Sequence, residues 1–404
     1  MNLRNRNLQS TPCLAASAVL GGMLIMAAGC SSGSGSTMSA SDRADIAAKK
    51  AAAETERVVS NLDRAYVIGP TAASELNYRI VWQYEGANQR SLKAMGLRGD
   101  SVYTLDQENF LTRINISDGQ KRWRTQAAEP VLDVISLNVI DDRIFLTAGS
   151  QMLVFDASNG TQLAKWNLER VAGTHPVEHN GFLIYGSRGG DLVWLSRTIG
   201  FLDRAYHISP TFRVPPVIRG NAIATVGVQG EVALLNADTA TQYWSKMLLN
   251  PVVSRPVIGE ELVYVAGQDQ YVWGLDLGNG RATWKYFTGA PLTASPTLHE
   301  GHLYQQVPGT GLICLSAVPI DLPGGELLWS NEKVTGNVIL ARRGELFAWD
   351  AGTHRLVVLD DARGLTRTRL DLPQAQYLVA GGDKGEDLFA ASPDGRVVRL
   401  TPRN

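Results

Sequence analysis

From Tyr78 to the end of the chain, short apolar runs alternate with polar turns, and the same order of runs and turns recurs. In one unit an apolar strand stops at Asp141-Asp142, a second runs from Ile144 to Ala148, and Gly149-Ser150 turns the chain. A third, Leu153 to Phe155, closes on Asp156. Neighbouring units repeat the first turn at His179-Asn180-Gly181, Arg219-Gly220-Asn221, Gly259-Glu260 and His299-Glu300-Gly301. Runs of this length, bounded by turn residues, predict strands rather than helices. The Asp or Asn closing the third strand can bond back to the backbone, and a glycine beyond it supplies positive φ. Together they predict a tight turn into a fourth strand.

Tryptophan marks that fourth strand. Gly119 and Trp123, Gly280 and Trp284, and Gly325 and Trp329 share one spacing, and Ala240 and Trp244 keep it without the glycine. Between Gly160 and Trp166 the Trp falls two residues later, which preserves its face because a strand repeats every two residues. Trp82, Trp123, Trp166, Trp244, Trp284 and Trp329 lie 41, 43, 78, 40 and 45 residues apart; the long gap holds two units, with Tyr206 in the intermediate slot. Four short strands per unit of roughly 40 residues predict propeller blades. A lone blade cannot bury both faces, whereas blades stacked in a ring bury them all and leave only short edges. Units run over 86–125, 126–168, 169–208, 209–246, 247–287, 288–331 and 332–370, and 371–404 holds only three strands. The spare strand at 78–82 supplies the fourth and closes the ring. The expected fold class is all-β: a single eight-bladed β-propeller over 76–404, with four antiparallel strands per blade. Seven blades is the alternative count.

Ahead of the ring, 41–62 is Ala-rich and charged and has no Gly or Pro, which predicts a helix capped by Ser41 or Asp42. Ile46, Val58, Val59 and Leu62 give it a thin apolar stripe, read as a solvated stalk or as a docking helix. It forms a helical stalk and linker over 41–75. Residues 1–29 have the form of a secretory signal peptide, with Arg4 and Arg6 before an apolar run from Cys13 to Ala28 and small residues near its end. The run is too short and Gly/Ala-rich for a membrane-spanning helix. Met26-Ala27-Ala28-Gly29-Cys30 resembles the bacterial lipobox, departing from it at Met26, where Leu is usual. That resemblance implies a lipid on Cys30, with 30–40 as a flexible tether; a plain signal peptide with an incidental cysteine is the other reading. Ser31, where proteobacterial inner-membrane lipoproteins carry Asp, implies by the same resemblance an outer-membrane anchor facing the periplasm.

The net charge of −1 supplies no field to gather nucleic acid. With Cys13 removed and Cys30 lipidated, Cys314 is the only thiol left of three cysteines, which excludes an internal disulfide or a cysteine metal site. His299 and His302 sit three apart across a turn, not four apart on a helix as a metalloprotease needs. Gly189-Gly190 and Gly309-Thr310-Gly311 fall in hairpin turns, away from any helix start that would cradle phosphate. Ser196 lies between Leu195 and Arg197, not between the glycines of a nucleophile elbow. Trp194, Trp273 and Trp349 fall in second or third strands and read as inter-blade core. No catalytic, cofactor-binding or metal-binding residue is expected.

The pattern Asp-x-x-x-Gly-x-x-x-Trp, best kept at Asp276, Gly280 and Trp284, resembles the PQQ-like propeller repeat, and the resemblance extends from Tyr78 to the end. It implies that the fourth-strand Trp packs between neighbouring blades and that the Gly makes the turn before it. The seventh unit departs from it, with Asp360 and Gly364 in place but Thr368 where Trp is expected. One branch of the family comprises quinone-dependent dehydrogenases, which use calcium and a vicinal cysteine pair beside the quinone; Cys314 alone cannot supply that pair. The other comprises BamB-type lipoproteins, non-enzymatic scaffolds in outer-membrane β-barrel assembly, which share the lipid anchor, single propeller and similar length. The resemblance therefore implies a membrane-anchored scaffold without cofactor, binding cell-envelope proteins, the β-barrel assembly machinery among them. A PQQ-dependent oxidoreductase and a ligand-binding envelope sensor are the alternatives.

Overall fold

The computed structural model describes residues 40–86, 91–318, 324–382 and 384–403. The signal segment, Cys30 and the tether up to residue 39 lie outside the described residues. The chain divides into two compact units, Met1–Glu54 and Thr55–Asn404. A helix, α1, spans Ala40–Ala65, a turn longer than the Ala-rich pattern alone suggests. Its stripe of Ile46, Val58, Val59 and Leu62 is exposed. No helix among the described residues is long and apolar enough to cross a membrane.

In the second unit, 55–404, the expected eight blades are all present as eight four-stranded sheets. Blades 1 to 7 occupy 92–126, 136–167, 177–207, 217–247, 257–287, 297–331 and 337–371, each an antiparallel meander in chain order. Blade 8 takes three strands from 377–402 and its outer strand from Tyr78–Tyr84, which pairs antiparallel with Val397–Pro402. The register shifts at one equivalent place in every blade, between the third and fourth strands, for example at Gly274/Leu275 and Val358/Leu359. A bulge adds local twist there and aims the fourth strand's side chains at the next blade. The meander order puts the connections between blades and the turns from second to third strand on one face of the ring. The remaining turns lie on the other.

Neighbouring blades are joined by one repeated device. The indole N–H of Trp82 donates to Ile116 O, Trp123 to Ala157 O, Trp244 to Leu277 O, Trp284 to Ala317 O and Trp329 to Asp361 O, at 2.7 to 3.2 Å. In each pair the acceptor belongs to the residue just after the next blade's third strand. The same ring lies against the glycine that ends that turn. A Cβ on Gly280 would stand 2.5 Å from Trp244, and one on Gly364 2.3 Å from Trp329. These glycines hold φ near +70° as well, so both the turn and the neighbouring indole require glycine. Trp166 lies against Gly200 in the same way.

Blade 3 solves the problem differently. Its fourth strand, Leu202–His207, has no Trp, and Trp194 on its third strand donates instead to Ala237 O at 2.6 Å. The facing turn then meets no fourth-strand indole, and its positive-φ position is Ala240, φ 59°.

The junction of blades 7 and 8 lacks the device because it lacks the turn. Blade 8 has no covalent connection between its third and fourth strands, so no turn glycine awaits a Trp, and Thr368 occupies the slot. A second helix, α2 (Pro70–Glu75), and the residues around it close the gap. Pro70 at the first helical position suits a helix start, since no partner for its missing N–H would exist there. Val67, Ile68, Ala73 and Leu76 are buried in one cluster with Tyr78, Phe347, Trp349, Leu356, Leu370 and Leu378. Gly69 permits this approach, because a Cβ there would fall 2.3 Å from Asp63 Oδ1. The last carbonyls of α1 are capped from the ring: Gln374 Nε2 donates to Arg64 O, and Gln83 Nε2 and Arg396 Nη1 donate to Ala65 O.

Candidate functional site

The residues with chemical potential are absorbed by structure. His299 and His302 face each other across a hairpin, but their rings part. His299 Nε2 lies 3.8 Å from Glu300, whereas His302 Nδ1 contacts Tyr304 Oη at 3.3 Å and lies 3.8 Å from Asp361. Tyr304 donates to Asp361 Oδ1 at 2.5 Å, linking blades 6 and 7. Burial, reinforced by that bond, pushes the Tyr304 hydroxyl far above its ordinary range. Burial likewise raises the Cys314 thiol, which keeps it protonated and unreactive. Among the described residues no cluster of three or more His, Cys, Asp or Glu could hold a metal.

Exposed apolar and aromatic side chains, by contrast, gather where blade 4 meets blade 5. Third-strand residue Trp273 is only half-buried, unlike Trp194 and Trp349, which are core. The expectation that all three lie in inter-blade core holds in part for Trp273, which packs against the core between blades 4 and 5 but is only half-buried. At its register position blades 1 to 4, 6 and 7 carry Thr112, Leu153, Val193, Ala233, Ile313 and Val357, all buried. Each of these is smaller than an indole and fits between the blades, whereas Trp273 packs in part against that core and stays half-exposed.

The indole is held in place from below and from both sides. Its N–H donates to the buried Asp269 carboxylate at 3.0 Å. Tyr271 lies at 5.6 Å between ring centroids, and Phe287, 58% exposed, lies 5.2 Å from Tyr271. Lys285 Nζ stands 4.6 Å from the Tyr271 centroid and 5.3 Å from that of Trp273, and Lys246 Nζ reaches over Trp273 from blade 4 at 5.7 Å. Met247 and Leu249, 64% and 88% exposed, lie at the strand end and on the connection leaving blade 4. A fixed aromatic floor, two cations on its faces and bare aliphatic neighbours are what protein-binding hot spots are made of. The sequence reading passed over this groove; its signal was a third strand, Tyr271-Val272-Trp273, with an indole where the third strands of blades 1 to 4, 6 and 7 carry Thr or an aliphatic residue.

On the opposite face a cleft of about 650 Å³ opens between blades 5 and 6, floored by Val257, Ile258, Tyr264 and Leu298 and rimmed by Arg219, Glu260 and Glu300. Arg219 is paired with Glu260 at 3.3 Å.

The family profile described as outer membrane protein assembly factor BamB matches residues 52–200 and 188–337. The chain is similar to the outer membrane protein assembly factor BamB of Burkholderia pseudomallei (strain K96243), at 22% identity over 331 residues, covering 76% of this chain and 83% of that protein. Among solved structures it is similar to BamB from Moraxella catarrhalis, with TM-score 0.63 and 15% identity, covering 80% of this chain and 97% of that one. It is equally similar in shape to a quinohemoprotein alcohol dehydrogenase from Comamonas testosteroni, with TM-score 0.63 and 11% identity, covering 82% and 78%. At such identities a shared shape speaks for the fold alone, since one fold hosts unrelated chemistries.

Proposed function

The chain belongs to the family of the outer membrane protein assembly factor BamB, and from that premise we propose that it is a non-enzymatic scaffold in the assembly of outer-membrane β-barrel proteins. Family membership is the observation that carries this reading. In it, a lipid on Cys30 holds the protein to the periplasmic side of the outer membrane, and 30–40 with α1 sets the propeller off from the bilayer. The groove between blades 4 and 5 docks a component of the assembly machinery. An exposed aromatic cluster on a rigid frame suits that role, because little side-chain freedom is lost when a partner covers it.

Site-specific photocrosslinking in cells tests the reading. A photoreactive residue at Leu249 or Phe287 is expected to trap an envelope protein of the assembly machinery, while one at Leu365 on blade 7, as exposed as Phe287, is expected not to. Equal labelling from the three positions would sink the assignment of the groove. Trp273→Ala should weaken the captured complex by about 2 kcal/mol, roughly 30-fold. Replacing Cys30 by Ser should move the protein from the membrane to the soluble fraction. If Cys30→Ser stays with the membrane, the lipid anchor is wrong.

A further inference from the structure

The groove between blades 4 and 5 repeats an arrangement found on blade 1, with one exchange. In blade 1, Thr112 pairs with Arg124 and Phe110 with Gln126; in blade 5, Trp273 pairs with Lys285 and Tyr271 with Phe287. Arg124 and Lys285 thus hold one register position, and Phe110 and Tyr271 another. Side chains at paired positions, and at positions two apart on a strand, share a face of the sheet. In both blades the cation accordingly lies over the ring. Arg124 Cζ stands 3.7 Å from the Phe110 centroid, and Lys285 Nζ 4.6 Å from that of Tyr271.

The counter-charge is where the two blades differ. Blade 1 supplies its own: Asp106, buried at the end of the second strand, pairs with Arg124 at 2.9 Å. Blade 5 also has a buried carboxylate, Asp269, in the turn between its second and third strands. Both of its oxygens are engaged, Oδ2 by the Trp273 indole N–H at 3.0 Å and Oδ1 by Tyr271 N at 3.3 Å. Lys285 is left with ring faces, and Lys246 brings a second ammonium over Trp273 from blade 4. Among the described residues neither lysine forms an ion pair with a carboxylate.

In the free protein this costs nothing, because Lys285 is exposed, Lys246 is half-buried and water solvates both. Docking changes that. A partner seated on Phe287, Tyr271 and Trp273 covers both ammoniums and removes their water. A charge desolvated without a counter-charge opposes binding, and a ring face attracts a cation without neutralising it. The carboxylate that Trp273 has taken from blade 5 has to come from the partner.

We propose, resting on the reading that this groove docks a protein, that the docked segment of that protein is acidic and apolar. Its side-chain carboxylates meet Lys246 and Lys285, and an apolar side chain beside them lies on Tyr271 and Phe287. A basic segment of equal apolarity is rejected, since like charges would be buried together.

Photocrosslinking in cells, from a photoreactive phenylalanine derivative that keeps an aryl ring at position 287, tests this. Relative to the wild-type lysines, Lys246→Met with Lys285→Met, which keeps the aliphatic stems over the rings, should cut the yield of the trapped complex about fivefold, and Lys246→Glu with Lys285→Glu about 20-fold. Lys165→Glu should leave the yield unchanged: Lys165 is exposed at the same register position of blade 2, but Gln151 and Leu153 put no ring beneath it. Mass spectrometry of the trapped complex should find Asp or Glu beside the attachment point on the partner. Exchanging those residues for Lys should restore capture by the chain carrying both Lys→Glu changes, which a structural role for the lysines would not do. Thermal melting checks the fold; should the Glu pair fail to fold, the Met pair decides, with the attachment point. A complex trapped equally by wild type and the Met pair, or a trapped segment without carboxylates, overturns the proposal and leaves the docking groove standing. No complex from position 287 with both lysines present overturns the docking groove itself, and the acidic segment with it.

Discussion

The junction of blades 5 and 6 and that of blades 7 and 8 do the same job with different parts. At the first, the Trp284 indole lies on Gly325 and donates to Ala317 O at 3.0 Å. At the second, Thr368 leaves the slot without an indole, and Val67, Ile68 and Leu76 fill the space from outside the repeat. The difference follows from connectivity. The sealing device needs a covalent turn between the third and fourth strands of the receiving blade, and blade 8 is the one blade assembled from both ends of the chain. A repeat can therefore specify each junction but the one at which it closes on itself, and the preceding segment must specify that one.

The largest effect should come from removing the wedge. A chain beginning at Asn77 keeps the strand Tyr78–Tyr84 but exposes the pocket that Val67, Ile68 and Leu76 fill. Burial of such side chains contributes about 1.5–3 kcal/mol each, so the loss should be on the order of 5 kcal/mol in urea unfolding. A chain beginning at Thr55 retains the wedge and should unfold like the full chain. Equal midpoints for all three chains would show that the wedge is not what seals the ring.

Next in size is a methyl group at the repeated device. In Gly280→Ala the new Cβ meets the Trp244 ring at 2.5 Å and must also hold φ +70°. Overpacking and the left-handed conformation together should cost about 3–4 kcal/mol. Gly220→Ala isolates the second cost, since its φ is +55° and nothing lies within 4 Å of the new Cβ; it should cost about 1 kcal/mol. Thermal melting that places the two variants together would remove the indole from the account of why Gly280 is glycine.

Much of this was open to reading in the chain. Strand count, blade boundaries and the pairing of the first strand with the last follow from period-two runs, turn residues and Trp spacing, because these are local consequences of residue type. The departure at Thr368 was legible as well, though its cause was not, since only the assembled ring shows that the receiving turn is absent. The wedge was hidden for a related reason: Val67, Ile68 and Leu76 have no periodic pattern, and their burial depends on a surface supplied from residues some 300 positions later. Trp273 misled because tryptophan on a third strand looks like core, and only its neighbours across two blades decide that it is left half-exposed.

The smallest effect sharpens the comparison most, since it concerns the one Trp-sealed junction that differs from the rest. Ala240 occupies the position that elsewhere belongs to glycine, at φ 59°. Its Cβ lies against the cluster around Trp194 instead of under a fourth-strand indole. Ala240→Gly relieves about 1 kcal/mol of left-handed strain and forfeits a methyl contact of about 0.8 kcal/mol. The two nearly cancel, so its unfolding midpoint should match wild type within error. Glycine and alanine are then interchangeable at the turn facing blade 3 and not at the turn facing blade 4, although both turns have one backbone shape. What distinguishes them is which strand of the preceding blade carries the indole: the third at blade 3, through Trp194, and the fourth at blade 4, through Trp244. A large loss in Ala240→Gly would mean that the alanine methyl itself holds the junction, and that the shift of the indole from fourth to third strand is not what freed the position from glycine.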